Sequence, residues 1–338
     1  MTGDHSPQRA SVLTQLQAMS VIVADTGELD AIATFRPMDA TTNPSLLLKV
    51  AQNPKYAYLL EDAISQHLNQ QKVSRDNHRL NDDDVDTVCD RFAVLVGRKI
   101  IELITGRVST EVPARFSFDT DATVAKARTL IDLYNAEGIA TDRVLIKVAG
   151  TWEGIRAAEI LEKSGIQCNV TLIFNAAQAA ASAEAGAYLI SPFVGRILDW
   201  HTAHRGFSDP NPAHDPGVIS VRTIYHYFKT KGLNTIVMGA SFRNTGEIIA
   251  LAGCDRLTIS PALLSELASD HETIITRQLS PTGETQAVTG IDVTNIDTDE
   301  PDFRWQLNHD EMAHFKLAEG IRKFHSDYEA LRAAIKAR

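Results

Sequence analysis

Residues 144–149 read Val-Leu-Ile-Lys-Val-Ala, an almost continuous apolar run that is interrupted by one charge. A run of this length and composition predicts a strand that is buried on both faces, as in a parallel sheet covered by helices. Burial disfavours an ammonium ion, so a buried lysine tends towards a neutral amine that can form an imine with a carbonyl substrate. Alternatively, Lys147 lies on an edge strand and extends its charged end to water.

Strand-like and helical segments alternate along the chain around this run. The predicted strands are residues 21–25, 39–43, 107–112, 144–149, 168–174, 188–194, 235–241 and 256–261, and helical segments between them include 122–137, 151–164, 176–185 and 244–252. Strands separated by helices in a chain of 338 residues predict a (β/α)8 TIM barrel, an α/β fold, with extra helices. The first strand is not followed by GxGxxG, which weakens the alternative of a doubly wound dinucleotide-binding sheet.

The segments outside this alternation are predicted to lie at the surface. Residues 69–84 and 278–302 are polar, and residues 194–235 are predicted to be a proline-containing loop with one short helix near 221–229. From residue 309 onward the pattern predicts one or two amphipathic helices. Because no linker or repeat divides the chain, we expect one domain over residues 1–338, with residues 1–12 as a flexible N-terminal extension. The glycines predicted to end helices are Gly138, Gly165, Gly186 and Gly253.

Composition narrows the class of protein and its partners. A formal net charge of −10 argues against nucleic-acid binding, since such proteins concentrate Lys and Arg to neutralise phosphates. The three cysteines, Cys89, Cys168 and Cys254, are widely spaced and form no CxxC pair, as expected of reduced thiols in a cytoplasmic protein. The N-terminus lacks an apolar signal core and no apolar run is long enough to span a bilayer, so we predict a cytoplasmic protein without a membrane partner.

Polar residues cluster where the predicted strands end. In a barrel of this kind, catalytic groups come from the carboxyl ends of several strands and from the loops that follow. The candidates are Asp25, Asn43, Glu111, Lys147, Asn169, Thr171, Ser191, Arg196, Ser241 and Arg243. Asn169 and Thr171 share one face of their strand, which suggests a common site.

Each candidate also has a structural interpretation. Asp25 is placed to cap a helix beginning near Glu28, and Glu111 to pair with Arg115. The amides and hydroxyls are placed for ordinary hydrogen bonds at strand ends. A carboxylate in direct contact with Lys147 would favour the charged amine, whereas one that acts through water need not.

Two arginines follow late strands in turns that carry glycine and serine. Arg196 lies in Phe-Val-Gly-Arg and Arg243 in Gly-Ala-Ser-Phe-Arg-Asn, where Ser241 adds a hydroxyl donor. A guanidinium group suits bidentate phosphate binding, and loops after the late strands often form the phosphate site of such barrels. Surface ion pairs are the alternative. His201 and His204 have helical spacing but no third ligand at a telling distance, so no metal site is predicted.

Seven ordered motifs resemble the bacterial and eukaryotic type of transaldolase, a Schiff-base-forming class I family. They are Val-Ala-Asp-Thr-Gly at 23–27, Asp-Ala-Thr-Thr-Asn-Pro-Ser-Leu at 39–46, Gly-Arg-Val-Ser-Thr-Glu-Val at 106–112, Ile-Lys-Val-Ala at 146–149, Cys-Asn-Val-Thr-Leu at 168–172, Ile-Ser-Pro-Phe-Val-Gly-Arg-Ile-Leu-Asp-Trp at 190–200 and Met-Gly-Ala-Ser-Phe-Arg-Asn at 238–244. The resemblance extends from about residue 13 to 330. It departs at Gly150, at 175–177 and in 278–302, which affects the expected rim shape and oligomer contacts more than the chemistry.

This resemblance implies a (β/α)8 barrel, commonly a homodimer, that transfers a dihydroxyacetone unit between sugar-phosphate substrates in the non-oxidative pentose phosphate pathway without a cofactor. Lys147 matches the Schiff-base lysine, and Asp25 the carboxylate that exchanges the proton of the C4 hydroxyl. Glu111 and Thr171 match the pair that moves protons, with a water, during imine formation and hydrolysis.

The resemblance also implies binding roles. The groups that hold the dihydroxyacetone moiety match Asn43, Asn169 and Ser191, and those that bind phosphate match Arg196, Ser241 and Arg243. Phe193 stands where related free aldolases place a tyrosine hydroxyl, so it is expected to favour transfer over release of dihydroxyacetone. Two alternatives remain: a Schiff-base aldolase that releases dihydroxyacetone or uses another donor, and a sugar-phosphate-binding or scaffold protein that has lost turnover.

Overall fold

The computed structural model describes residues 9–73, 79–282, 296 and 298–338 and has a closed barrel of parallel strands at its centre. The strands are β1 Val21–Asp25, β2 Asp39–Thr41, β3 Val108–Glu111, β4 Val144–Ala149, β5 Cys168–Ile173, β6 Leu189–Pro192, β7 Ile236–Gly239 and β8 Arg256–Ile259. They follow one another around the barrel in chain order, and β8 pairs with β1 to close it. The predicted (β/α)8 barrel is therefore confirmed.

Helices follow the strands and enclose the barrel. They are α1 Val12–Gln17, α2 Leu29–Phe35, α3 Pro44–Gln52, α4 Ala57–Gln71, α5 Asp82–Ile101, α6 Thr120–Ala136, α7 Trp152–Lys163, α8 Ala176–Glu184, α9 Val194–Arg205, α10 Pro216–Thr230, α11 Thr245–Ala250, α12 Pro261–Ser269, α13 Glu300–His309 and α14 Glu311–Lys336. Several begin directly after a strand, at a polar residue whose side chain accepts a backbone N–H of the first turn. Asn43, Thr151, Asn175 and Asn244 cap α3, α7, α8 and α11 in this way.

The boundaries of the elements agree in part with the pattern in the sequence. β1 and β4 have the predicted bounds, whereas the other strands are one to three residues shorter because the residues at their predicted ends belong to the connections or to the next helix. The glycines predicted to end helices have positive φ: Gly138 77°, Gly165 84°, Gly186 76° and Gly253 100°. Glycine adopts this left-handed conformation without a steric penalty, which explains its use where helices end.

The three surface predictions have different outcomes. Residues 194–235 were predicted to form a loop with one short helix, which is wrong: α9 and α10 occupy most of this segment. In 69–84, the ends belong to α4 and α5, and residues 74–78 lie outside the described residues. In 278–302, α13 begins at Glu300, while residues 283–295 and 297 are not described.

At the N-terminus, Ser11 already caps α1 and Val12 is fully buried, so the last two residues of the predicted extension pack with the barrel. Residues 1–8 of that extension lie outside the described residues. The single-domain assignment stays a prediction. Within the described ranges, no helix is both long enough and apolar enough to cross a membrane.

Apolar side chains fill the barrel interior just below the carboxyl ends of the strands. Val23, Leu145, Leu189 and Met238 form a compact buried cluster there. Residues two positions further along a strand point to the same side. Asp25, Lys147 and Ser191 therefore follow Val23, Leu145 and Leu189 on the inner face, one step nearer the mouth.

The C-terminal helix α14 covers this mouth. Its apolar side chains pack on residues that follow β5, β6 and β7, and the cluster includes Phe174, Phe193, Leu317, Ile321 and Phe324. Burial of apolar surface on this scale is the main force that holds a helix in place. The carboxyl ends of the strands are thus covered by α14. The predicted C-terminal amphipathic helix is confirmed.

Candidate active site

The side chain of Lys147 lies inside the barrel and is only 6% exposed. Its Nζ atom is 3.5 Å from Glu111 Oε2 and donates a hydrogen bond of 3.4 Å to the carbonyl oxygen of Thr42. Strand register sets these neighbours, since Lys147 stands beside Glu111 of β3 and Asn169 of β5. A closed barrel has no edge strand at β4, so the alternative of a lysine extended to water is wrong.

Asp25 ends β1 on the same inner face. The hydroxyl of Thr41 donates a hydrogen bond of 3.1 Å to Asp25 Oδ1, and Thr41 in turn lies 3.2 Å from the hydroxyl of Thr258. The N-cap position of α2 is Glu28, whose side chain makes no capping hydrogen bond, and Asp25 lies three residues earlier, so the capping interpretation is wrong. Removal from water raises the pKa of the Asp25 carboxyl, while the charge of Lys147 and the Thr41 hydrogen bond oppose that rise.

Glu111 ends β3 next to the lysine, and its side chain is 5% exposed. Burial raises the pKa of this carboxyl, and the charge of Lys147 is the main opposing influence. The predicted alternative partner, Arg115, instead approaches Asp86 at 3.6 Å. Two carboxyl groups with raised pKa values therefore flank one amine, an arrangement suited to holding and returning protons.

The amide of Asn169 is held between two hydroxyls. Ser191 Oγ donates to Asn169 Oδ1 at 2.6 Å, and Asn169 Nδ2 donates to Ser109 Oγ at 3.1 Å. These three residues are buried; Ser191 lies on β6, next to β5, whereas Ser109 lies on β3, on the other side of β4. The amide orientation is consequently fixed by the barrel itself, and the ordinary strand-end hydrogen bonds considered from the sequence are present.

Thr171 presents a buried hydroxyl that no hydrogen-bonding group satisfies among the residues described. The strand turns sharply after it: the pairing of β5 with β6 shifts register between Thr171 and Ile173, and Leu172 has φ 58°. Gln178 holds this bulge by donating to Leu172 O at 3.0 Å and accepting from Phe174 N at 2.8 Å. An unsatisfied buried hydroxyl is costly, so this position is suited to a water or a substrate group.

A cavity of about 50 Å³ connects most of these groups. Its lining residues are Asp25, Thr41, Asn43, Lys147, Ser191, Phe193, Arg196, Met238, Ala240, Ser241, Thr258 and Phe324. Seven of the predicted site residues thus line one cavity. Glu111 and Asn169 are the strand neighbours of Lys147, and Thr171 is the strand neighbour of Ala149, so these three residues lie next to the cavity. Asn43 also caps α3 by accepting from Leu46 N at 3.0 Å.

Two arginines lie at the outer end of this cavity region. Arg196, in the first turn of α9, stacks on Phe193 at 4.8 Å and on Phe324 at 5.3 Å. Burial and the nearby charge of Arg243 lower the pKa of Arg196. Two guanidinium groups that repel one another form a favourable place for an anion.

Arg243 lies at the rim rather than in the cavity lining. Its fork binds Asp199, with Nη2 to Oδ2 at 2.6 Å and Nε to Oδ1 at 3.1 Å, and its Nη1 donates to Ser241 O at 3.0 Å. The surface ion pair considered from the sequence is therefore present for Arg243. Ser241 has φ 62°, a left-handed conformation that is uncommon for a residue with a Cβ atom and is typical of functional turns.

Sequence reasoning missed several residues of the site. Thr41 and Thr258 orient Asp25, Asp199 pairs with Arg243, and Phe324 forms part of the cavity wall. Thr41 lies within a recognised motif, so its inward position on β2 was a usable signal. Phe324 comes from α14, whose placement over the mouth depends on contacts between distant parts of the chain.

The histidines noted from the sequence lie on α9, away from this cavity. His204 donates to Trp200 O at 3.0 Å and stacks on the Trp200 ring at 4.8 Å. In the parts of the chain that the structure covers, no group of three or more His, Cys, Asp or Glu is arranged to hold a metal ion.

Fold and site together define a barrel enzyme with a buried amine between two carboxyl groups and an arginine-rich rim. Comparison with known proteins identifies its family: residues 22–335 match the family described as Transaldolase/Fructose-6-phosphate aldolase, to which the chain belongs. A transaldolase of Aeromonas salmonicida (strain A449) is 54% identical over 329 residues, covering 97% of this chain and 99% of the relative.

Other relatives give the same result. A transaldolase of Histophilus somni (strain 129Pt) is 55% identical over 319 residues, with 94% of this chain and 96% of the relative covered. One from Haemophilus influenzae (strain PittGG) is 54% identical over 326 residues, with 96% and 98% covered. The predicted family and the predicted enzyme class, a transferase of the transaldolase type, are confirmed.

Proposed function

We propose that this enzyme transfers a dihydroxyacetone unit from sedoheptulose 7-phosphate to glyceraldehyde 3-phosphate, giving erythrose 4-phosphate and fructose 6-phosphate, through a Schiff base on Lys147. The observation that carries the proposal is the buried Nζ of Lys147, 3.5 Å from Glu111 and on the same cavity as Asp25. The reaction belongs to the non-oxidative pentose phosphate pathway. It requires no cofactor, because the protonated imine itself accepts the electrons of the broken bond.

Imine formation is the first step. The neutral amine of Lys147 attacks C2 of the ketose, a C–N bond forms, and the former carbonyl oxygen leaves as water. Glu111 is close enough to exchange protons with this centre, directly or through a water held by Thr171. The raised pKa of Glu111 supports this role, since the carboxyl can carry a proton and release it within the site.

Carbon–carbon cleavage follows. Asp25 takes the proton of the C4 hydroxyl, the C3–C4 bond breaks, and its electron pair moves into the imine to form an enamine while the aldose phosphate leaves. Thr41 supports the orientation of Asp25 through its 3.1 Å hydrogen bond. The raised pKa of Asp25 brings its basicity closer to neutral pH, as a proton acceptor requires.

The enamine must survive until the acceptor aldehyde binds. Asn43, Asn169 and Ser191 are proposed to hold its hydroxyl groups, and the fixed amide of Asn169 supports this positioning. Phe193 and Phe324 limit access of water. Arg196, Ser241 and Arg243 are proposed to bind the phosphate; a substrate phosphate then shares or replaces the contact of Arg243 with Asp199.

A transfer assay tests the proposal against its nearest alternative, an aldolase that releases dihydroxyacetone. Fructose 6-phosphate is supplied with and without erythrose 4-phosphate, and sedoheptulose 7-phosphate and free dihydroxyacetone are measured. Transfer that depends on erythrose 4-phosphate, with little free dihydroxyacetone, supports the proposal. Release of dihydroxyacetone at the same rate without acceptor supports the aldolase, and no turnover supports a binding protein.

The predictions on assembly and location extend this proposal. We propose a homodimer in the cytoplasm, where the sugar-phosphate substrates of the pathway occur, with neither nucleic acid nor membrane as a partner. The mass of the purified protein by sedimentation measures the oligomeric state directly. A monomer at micromolar concentration would contradict the dimer.

A further inference from the structure

Glu247 is buried directly behind the phosphate-binding turn, outside the cavity and outside every motif recognised from the sequence. It lies in the first turn of α11 and is 0% exposed. Its Oε2 atom accepts the backbone N–H of Arg243 at 2.8 Å. Its own N–H donates to the side chain of Asn244 at 3.0 Å. The residue therefore fixes the backbone of the arginine that we assign to phosphate binding.

The turn that contains Ser241 and Arg243 is held between α9 and Glu247. Ser241 is in the left-handed conformation, and its carbonyl oxygen accepts from Gly195 N at 3.0 Å and from the Arg243 guanidinium at 3.0 Å. A Cβ atom on Gly195 would lie 2.6 Å from both Arg243 Cγ and Ser241 O. The turn is thus held tightly against α9 on one side and by Glu247 on the other.

The surroundings of Glu247 are acidic. Asp215, which caps α10 by accepting from Gly217 N at 2.7 Å, is near enough to act electrostatically on Glu247. Burial raises the pKa of Glu247 to about 7, and the charges of Asp215 and Asp199 add to that rise. A buried carboxyl beside another acidic group favours its protonated form, and Oε2 can accept from Arg243 N in either charge state.

The other charged groups around α11 are occupied elsewhere. Glu266 of α12 accepts from the Thr245 hydroxyl at 3.1 Å, and His214 pairs with Asp209 at 2.7 Å. His201 of α9 acts electrostatically on Asp215 rather than on Glu247. The charge on Glu247 is consequently set by Arg243, Asp215 and Asp199.

From this geometry we infer that Glu247 is a positioning residue for the phosphate site: it holds the Arg243 backbone in both charge states, and its negative charge weakens phosphate binding when its proton is lost. The inference rests on the proposed role of Arg243 and deepens it. Above neutral pH, ionised Glu247 joins Asp215 and Asp199 in opposing an incoming phosphate dianion. Below neutral pH that additional charge is absent.

The test measures KM for fructose 6-phosphate and the inhibition constant of inorganic phosphate. Both are followed from about pH 5.5 to about pH 8.5, which covers about one and a half pH units on each side of neutrality. In Glu247→Ala the Arg243 N–H loses its acceptor, so we expect both constants to rise about tenfold while kcat changes less than about twofold. Glu247→Gln keeps an acceptor and a donor without charge. It should match the wild type below pH 6 and bind phosphate about threefold more tightly than the wild type above pH 8.

Controls separate this inference from the proposal on which it rests. Glu266→Gln, on the neighbouring helix, should leave KM and its pH profile unchanged. Arg243→Ala should raise both constants; if it does not, the assigned phosphate site is wrong. If Arg243→Ala raises them but Glu247→Ala does not, only the role of Glu247 is refuted. Should Glu247→Ala fail to fold, parallel pH profiles for the wild type and Glu247→Gln refute the inference by themselves.

Discussion

Replacement of Gly320 by alanine is the sharpest test of how closely α14 approaches the site. A Cβ atom at this position would lie 2.7 Å from Leu172 Cδ2 and 3.2 Å from an Arg196 guanidinium nitrogen. Favourable carbon–carbon contact begins at about 3.5 Å, so the Leu172 side chain, the bulge that carries it or α14 must move by almost 1 Å. Leu172 already has φ 58°, which limits how far it can yield.

Two opposing contributions set the expected stability of this variant. Alanine favours the helix over glycine by about 1 kcal/mol, and overpacking of a well-filled site costs about 1–3 kcal/mol. We expect a net loss of up to about 2 kcal/mol in the free energy of unfolding, measured by urea denaturation. Displacement of Arg196 should also raise KM for fructose 6-phosphate several-fold.

A matched control measures the helix contribution separately. Ala330 is exposed on the same helix, so Ala330→Gly reports the intrinsic cost of glycine in α14 without a packing change. Adding that cost to the loss of stability measured for Gly320→Ala gives the packing contribution. If Gly320→Ala stabilises the protein by about 1 kcal/mol and leaves KM unchanged, α14 does not pack on the site in the way described.

Three further outcomes follow from individual side chains. Asp25→Ala should slow carbon–carbon cleavage by about 10²- to 10⁴-fold in single-turnover measurements while imine formation on Lys147 persists; equal slowing of both steps would place its role elsewhere. Thr171→Val removes a buried hydroxyl that has no hydrogen-bond partner among the residues the structure describes, so the free energy of unfolding should stay constant or rise while imine formation slows; a large loss of stability would show that the hydroxyl is structural. Glu247 has a pKa of about 7 in the folded protein against 4.5 when exposed, so unfolding releases a proton between these values and stability falls as pH rises through them. Glu247→Gln should flatten that fall, and an unchanged slope in urea denaturation would contradict the assignment.

The barrel was predictable from sequence because its strands are buried on both faces. The run at 144–149 combines apolar residues with one inward charge, and both its bounds and its burial agree with the structure. Helix α9 was not predicted because the prolines after residue 209 indicated a loop, and that prediction was extended to the whole segment. Its buried residues Ile197 and Trp200 are three positions apart, a helical spacing that was available.

The site was predictable only where local pattern determines position. Side chains that end strands on the inner face, such as Asp25 and Lys147, follow from the period of two along a strand and from closure of the barrel. The packing of α14 over the site does not follow from local sequence pattern, because it depends on apolar surfaces that distant segments of the chain bring together. Phe324 and Gly320 therefore gave no signal, although both lie against Arg196. Glu247 was missed for a similar reason: its importance comes from its contact with the Arg243 backbone.

The identity of the nucleophile is the central claim, and borohydride trapping tests it most directly. The enzyme is incubated with fructose 6-phosphate, reduced with borohydride, digested and mapped by peptide mass. After cleavage, the three-carbon enamine is in equilibrium with its protonated imine, and borohydride reduces that imine. We expect a three-carbon adduct on Lys147. Lys316 is also buried but pairs with Glu319 at 2.7 Å, and we expect no adduct there. An adduct on any other lysine, or none under conditions that support transfer, would contradict the account.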